Sequence, residues 1–244
     1  MKINNVNISL WFKELDFMPQ EKVNELENSL KSILDTNFLY NDIPIRKNID
    51  IPRIQAKSKD NKYFFTLSLI NCNLSIDVTN TDKDELLLMI NENIQLLFDV
   101  LNEVYDLKII YTSIKINAID KKNSEVLFNK LSLSSDYEDI SLKKVRKVDN
   151  SYYECIIVTS TKEVNYNIQV IGDEQPIESD LYNRSMLISS SEADIGKEYL
   201  DIFYEINDRL SYNLDKNYLT TKENIRGLVM ETKNFLNKKT SDIL

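Results

Sequence analysis

Residues 51–78 read IPRIQAKSKDNKYFFTLSLINCNLSIDV and residues 82–105 read DKDELLLMINENIQLLFDVLNEVY, and together these two stretches decide the fold. In the first, Ile54 and Ala56, then Tyr63, Phe65, Leu67 and Leu69, alternate with other residues around the polar turn Ser58-Lys59-Asp60-Asn61. Alternation with a period of two marks a strand with one buried face, and two such runs around a polar turn mark an antiparallel pair. Leu74, Ile76 and Val78 resume the pattern and predict a third strand. A small meander of this kind needs something to cover its apolar face. The second stretch supplies it. Leu86, Ile90, Ile94, Leu97, Leu101 and Val104 recur at helical spacing, and Asp82 followed by Glu85 reads as a capping box at the helix start. Leu87, Leu88, Phe98 and Val100 widen the stripe. A stripe that wide predicts contacts on two sides: a sheet beneath, and another element or a second subunit above. Leu87, Leu88 and Phe98 are therefore candidate partner-facing residues.

Working outward, residues 6–12 read as a strand, and Pro19 suits the first turn of a helix. Val23, Leu26, Leu30, Ile33 and Leu34 give that helix an apolar face over about residues 19–35. Residues 41–52 read as a connection, and residues 109–119 as another strand. Beyond residue 124, strands are expected at 125–133, 152–160, 164–171 and 185–190. Tyr199, Leu200, Phe203, Ile206, Leu210 and Leu214 then keep helical spacing. A last helix, holding Ile225, Leu228, Val229, Phe235 and Leu236, has Thr220 and Glu223 as its expected capping box. The expectation is an α+β protein of two strand-rich halves, residues 1–122 and 123–244. Each half is a mainly antiparallel sheet covered by amphipathic helices.

Composition narrows the chemistry. The chain has 244 residues, 42% hydrophobic and 28% charged, which are globular values. It contains no His. Ser-His-Asp and Cys-His triads and His-based metal sites are excluded at a stroke. With only 3 Gly, a glycine-rich phosphate loop has no raw material. Cys72 and Cys155 lack a CxxC partner and read as small buried hydrophobes of a reducing compartment. No stretch approaches the roughly 20 apolar residues of a membrane span, and the first residues show no secretory signal. A cytoplasmic protein without membrane contact or cofactor is expected. The formal charge of -9 disfavours general nucleic-acid binding.

Three constellations remain. SLKKVRKVDN places Lys143, Lys144, Arg146 and Lys147 beside Tyr152 and Tyr153. Cations next to aromatics can hold a single-stranded nucleic acid or nucleotide, and lysines on a hairpin edge equally serve to discourage edge-to-edge pairing. Glu192 and Asp194 fall between a predicted strand and helix and could hold a divalent cation. They carry an alternative reading as a metal-dependent phosphoryl-transfer or nuclease-type enzyme. A nuclease-like E-x-K is missing after Glu154 and Glu163. Arg46, Lys47 and Arg53 form a smaller basic cluster.

Pro52-Arg53-Ile54-Gln55 with Ser58 and Asp60, then Ile116-Asn117-Ala118-Ile119, then the C-terminal helices, carry a resemblance. In these features the chain is similar to a sporadically distributed family of uncharacterised prokaryotic proteins of about this length. The resemblance implies an architecture and no reaction. The functional expectation is a non-enzymatic binding or regulatory subunit acting through protein–protein contacts, including self-association as a homodimer. The Asn-, Lys- and Ile-rich composition points to an AT-rich bacterial or mobile-element source, and so to a setting of phage conflict or antiviral defence.

Overall fold

A computed structural model describes residues 2–41, 43, 48–120, 139–148, 151–163 and 198–237. The first part of the chain forms β1 (Lys2–Phe12), α1 (Gln20–Ser29), β2 (Leu39–Tyr40), β3 (Ile54–Lys57), β4 (Tyr63–Leu67) and β5 (Asn71–Asp77). There follow α2 (Lys83–Tyr105), β6 (Ile109–Asp120), β7 (Asp139–Val148), β8 (Ser151–Glu163) and β9 (Glu198–Asn207). Two helices close the described chain: α3 (Arg209–Leu214) and α4 (Lys222–Leu236). The protein is mixed α+β and mostly sheet.

The nine strands among the described residues belong to one antiparallel sheet, in the order β2-β3-β4-β5-β1-β6-β9-β8-β7. Strands read into both halves of the sequence thus share a sheet. They join where β1 pairs with β6, Val6 facing Ile116 and Ile8 facing Ile114. Alternation sends Val6, Ile8, Leu10 and Phe12 to one face, and register carries that face to Cys72, Leu74 and Ile76 on β5. The same face continues through Ile114 and Ile116 to Ile206 and Tyr204. These side chains share one buried core with Leu86, Ile90, Ile94, Leu97 and Leu101 of α2 and with Ile225, Leu228 and Phe235 of α4. Each fully buried Leu or Ile is worth about 1.5–3 kcal/mol, so this face dominates the favourable side of folding. The other face carries Asn5, Asn7, Ser9 and Trp11 from β1, Asn73 and Ser75 from β5, and Ser113 and Lys115 from β6.

The structure begins α2 where the sequence places it. The Asp82 carboxylate accepts from the backbone N–H of Asp84 and Glu85, at 3.0 and 2.9 Å. Its C-terminus stops at Asp106, whose φ of 52° is left-handed. The wide stripe is used within the chain: α2 packs on α1 and on α4, and Leu87 and Phe98 lie half-buried against the core. Leu88 is 57% exposed. Two further ties run from α2 to the C-terminal helix, Lys222 to Asp99 at 2.7 Å and the Lys83 ammonium to the Leu236 carbonyl at 2.8 Å.

Three expectations need correction. The predicted helix from Tyr199 to Leu214 is a strand, β9, followed by the short α3. The residues satisfy both periods: Phe203, Ile206 and Leu210 step helically, whereas Ile202, Tyr204 and Ile206 alternate and are buried. The strand prevails because β9 pairs on both edges, with β6 and with β8, a long-range gain that local spacing does not show. The cap of α4 is displaced by one residue. The Thr221 hydroxyl accepts from Asn224 N–H, and Asn224 Oδ1 accepts from Thr221 N–H at 2.8 Å. Thr220 instead donates its hydroxyl to Asp208. In addition, α1 ends at Ser29, short of residue 35, although Leu30 and Leu34 still reach the core. The strands expected at 125–133, 164–171 and 185–190 lie outside the described residues.

Candidate functional site

The basic segment forms β7, which is the last strand of the sheet among the described residues. Residues 143–148 are all exposed. Strand geometry splits the cations between the two faces. Lys143 and Lys147 share a face with Tyr152, and Lys147 lies over the Tyr152 ring at 5.4 Å. Lys144 and Arg146 point to the helix-bearing side, where Arg146 meets Glu231 of α4. Lys143 pairs with Glu154, itself buried on β8. The two tyrosines part in the same way: Tyr152 is half-buried, and Tyr153 enters the core against Gly227 of α4. The structure therefore does not bring Lys143, Lys144, Arg146, Lys147, Tyr152 and Tyr153 onto one surface.

A second cluster was not picked out from the sequence. Trp11 at the end of β1 faces Tyr111 at the start of β6. Their rings stack at 5.3 Å and 17°. Tyr212 of α3 lies against Tyr111 at 6.4 Å. The Arg209 guanidinium is 5.7 Å from the Tyr111 ring and the Lys216 ammonium 4.1 Å from the Tyr212 ring. Burial raises the Tyr111 phenol well above its usual range, against the opposing pull of Arg209. The three rings are half-buried, and Arg209 and Lys216 are exposed. A signal for Trp11 existed in the sequence: if Leu10 and Phe12 point inward, Trp11 must point outward.

Beneath this cluster lies a buried polar knot. The Asp208 carboxylate is wholly buried and accepts from Thr112 N–H at 2.6 Å and from the Tyr218 and Thr220 hydroxyls at 2.8 Å each. Burial pushes its pKa up to about 6, with the three donors pulling the other way. Ser211 continues the knot by accepting from Tyr152 N–H at 2.7 Å and donating to Tyr152 O at 3.2 Å. The Asn224 side chain donates to Ser151 at 2.6 Å. These bonds fasten α3 and the residues before α4 to the ends of β6 and β8, which is how Tyr212 and Arg209 are held against Tyr111.

The remaining candidates fall elsewhere. Glu192 and Asp194, like Arg46 and Lys47, lie outside the described residues. Arg53 is buried and donates to the Asn48 carbonyl at 3.2 Å, bracing its own loop. Cys72 is buried in β5 and Cys155 half-buried in β8, and neither forms a disulfide. An open cleft of about 390 Å³ lies between Phe17 and Pro19 on one side and Glu103, Tyr105 and Asp106 on the other. Among the described residues no three His, Cys, Asp or Glu side chains converge as metal ligands, and no helix is long and apolar enough to cross a membrane. No family model matches the chain, and no curated protein matches it in sequence.

Proposed function

We propose that this chain is a binding or regulatory subunit that works through protein–protein contacts made by the Trp11–Tyr111–Tyr212 cluster. The observation that supports the reading is a half-buried aromatic row, Trp11 and Tyr111 on the sheet face opposite α2 and α4 with Tyr212 and Arg209 of α3 laid against Tyr111. Trp, Tyr and Arg dominate the energetics of protein interfaces, above all when they are held in place before the partner arrives.

The plan of the sheet supports the same location. In our reading the chain repeats one unit. β1 leads to the β3-β4-β5 meander and α2, and β6 leads to β7, β8, β9 and α4, with the two leading strands paired at the centre. Residues 78–82 join β5 directly to α2, whereas residues 208–221 between β9 and α4 insert α3. Tyr212, Arg209 and Asp208 belong to that insertion, the place where the second unit departs from the first, and the insertion lays Tyr212 against Tyr111 of β6. Because the wide stripe of α2 is used by α1 and α4, a different protein is the proposed partner ahead of a second copy through Leu87, Leu88 and Phe98.

Capture from source-cell lysate tests the reading, with wild type, Trp11→Ala and Tyr212→Ala as baits and folding checked by circular dichroism. We expect a protein held by wild type whose yield falls at least about tenfold with either variant, as for an interface hot spot. Equal capture by all three baits, or none by wild type, overturns it.

A further inference from the structure

We infer that β7 is a strand-addition site for an extended, acidic segment of a partner protein. This rests on the protein-binding reading above and assigns it a second surface with its own chemistry. β7 runs ten residues, Asp139–Val148, and pairs through one edge with β8. Beyond its other edge the strand order of the described residues ends. An edge strand offers a row of backbone donors and acceptors to an incoming strand. Its exposed part carries Lys143, Lys144, Arg146 and Lys147 with no carboxylate; Val145 among them is 50% exposed and Val148 after them 37%.

Two features choose the occupant. The cations alternate, Lys143 and Lys147 on one face, Lys144 and Arg146 on the other. An added strand also projects side chains alternately to both faces, so acidic residues on one peptide can reach both pairs. A phosphate backbone, which tracks along one surface, cannot do so, and Tyr153 is in the core and unavailable for base stacking. A second copy is disfavoured as well. Antiparallel β7–β7 pairing centred on Val145 sets Lys144 against Arg146 and Lys143 against Lys147, like charges directly opposed. Glu154 and Glu231 already hold Lys143 and Arg146, while Lys144 and Lys147 have no carboxylate partner among the described residues. Those two are the first contacts for an incoming acid.

The test uses the whole 244-residue chain and a fluorescent peptide, Val-Glu-Glu-Val-Glu-Glu-Val, followed by anisotropy at low salt. Four comparisons accompany it: a peptide N-methylated at alternate residues, a peptide with Lys in place of Glu, an oligothymidine, and the Lys144→Glu/Lys147→Glu variant, checked for folding by circular dichroism. The acidic peptide is expected to bind saturably. N-methylation, the Lys peptide and the double variant are each expected to weaken binding at least about tenfold, the scale of a lost charge-complementary contact set. Equal binding of the N-methylated peptide overturns strand addition. Tighter binding of oligothymidine with the same loss in the double variant assigns the strand to nucleic acid instead, and absence of peptide binding removes the site. Purified protein alone is used, so this result and lysate capture through Tyr212 can fail independently.

Discussion

Asp208 is the residue at which burial, hydrogen bonding and titration meet. Its carboxyl has an ordinary value of 3.8 and is pushed up to about 6 in the fold. The folded protein therefore binds this proton more tightly than the unfolded chain. The stability it contributes is full below pH 3.8 and is lost as pH rises through about 6. At about 1.4 kcal/mol per tenfold change the loss is about 3 kcal/mol. Denaturant melts of wild type and Asp208→Asn should accordingly diverge by about that amount between pH 4 and pH 7, with the variant gaining relative to wild type as pH rises. Parallel stability profiles would contradict the buried, donor-bound placement. Asp208→Ala leaves Thr112 N–H and the two hydroxyls without their acceptor and should cost roughly 3–5 kcal/mol near pH 4, by the scale of a broken buried network, and less at pH 7, where the carboxyl's contribution has been lost. Gly227 is required for a different reason. A Cβ there would lie 2.7 Å from the Tyr153 ring carbon Cζ and closer still to its hydroxyl. Gly227→Ala should lower stability by about 1–3 kcal/mol despite alanine's better helix propensity, because overpacking outweighs it. An unchanged melting temperature would place Tyr153 elsewhere.

At the scale of elements, what was legible depended on whether local chemistry alone decided the outcome. Asp82 caps α2 through its immediate neighbours, so the start of that helix can be read from four residues. β9 could not be read in this way, since its identity is set by β6 and β8, which lie far away in sequence. The cap of α4 shows both influences. Two threonines stand in a row, and the choice between them follows from Asp208, which takes the Thr220 hydroxyl and leaves Thr221 to cap. Thr221→Ala should therefore cost about 1 kcal/mol. Glu223→Gln, which alters the partner expected from the sequence, should leave the melting temperature essentially unchanged. The reverse order would return the cap to Thr220 and Glu223. Helix α4 also depends on a long-range stack, Tyr204 on Phe235 at 3.7 Å and 9°, which helical spacing alone does not reveal.

For the whole molecule, the period-two and helical patterns gave the α+β class and the position of the core, since hydrophobic periodicity is a local property. They did not give the continuity of the sheet, which depends on the β1–β6 and β6–β9 registers. The candidate site was partly legible for the same reason. The charge run of β7 is visible in sequence, but its division between two faces and the burial of Tyr153 emerge only from strand pairing. The Trp11–Tyr111–Tyr212 row draws on β1, β6 and α3, so no single window contains it. The most direct test of the central proposal is amide hydrogen exchange on the protein with and without the partner captured from lysate. New protection is expected to concentrate at residues 8–12, 109–114 and 209–216, with the exposed side of α2 around Leu88 unchanged. Protection confined to α2, with the Trp11–Tyr111–Tyr212 region exchanging as in the free protein, would contradict it.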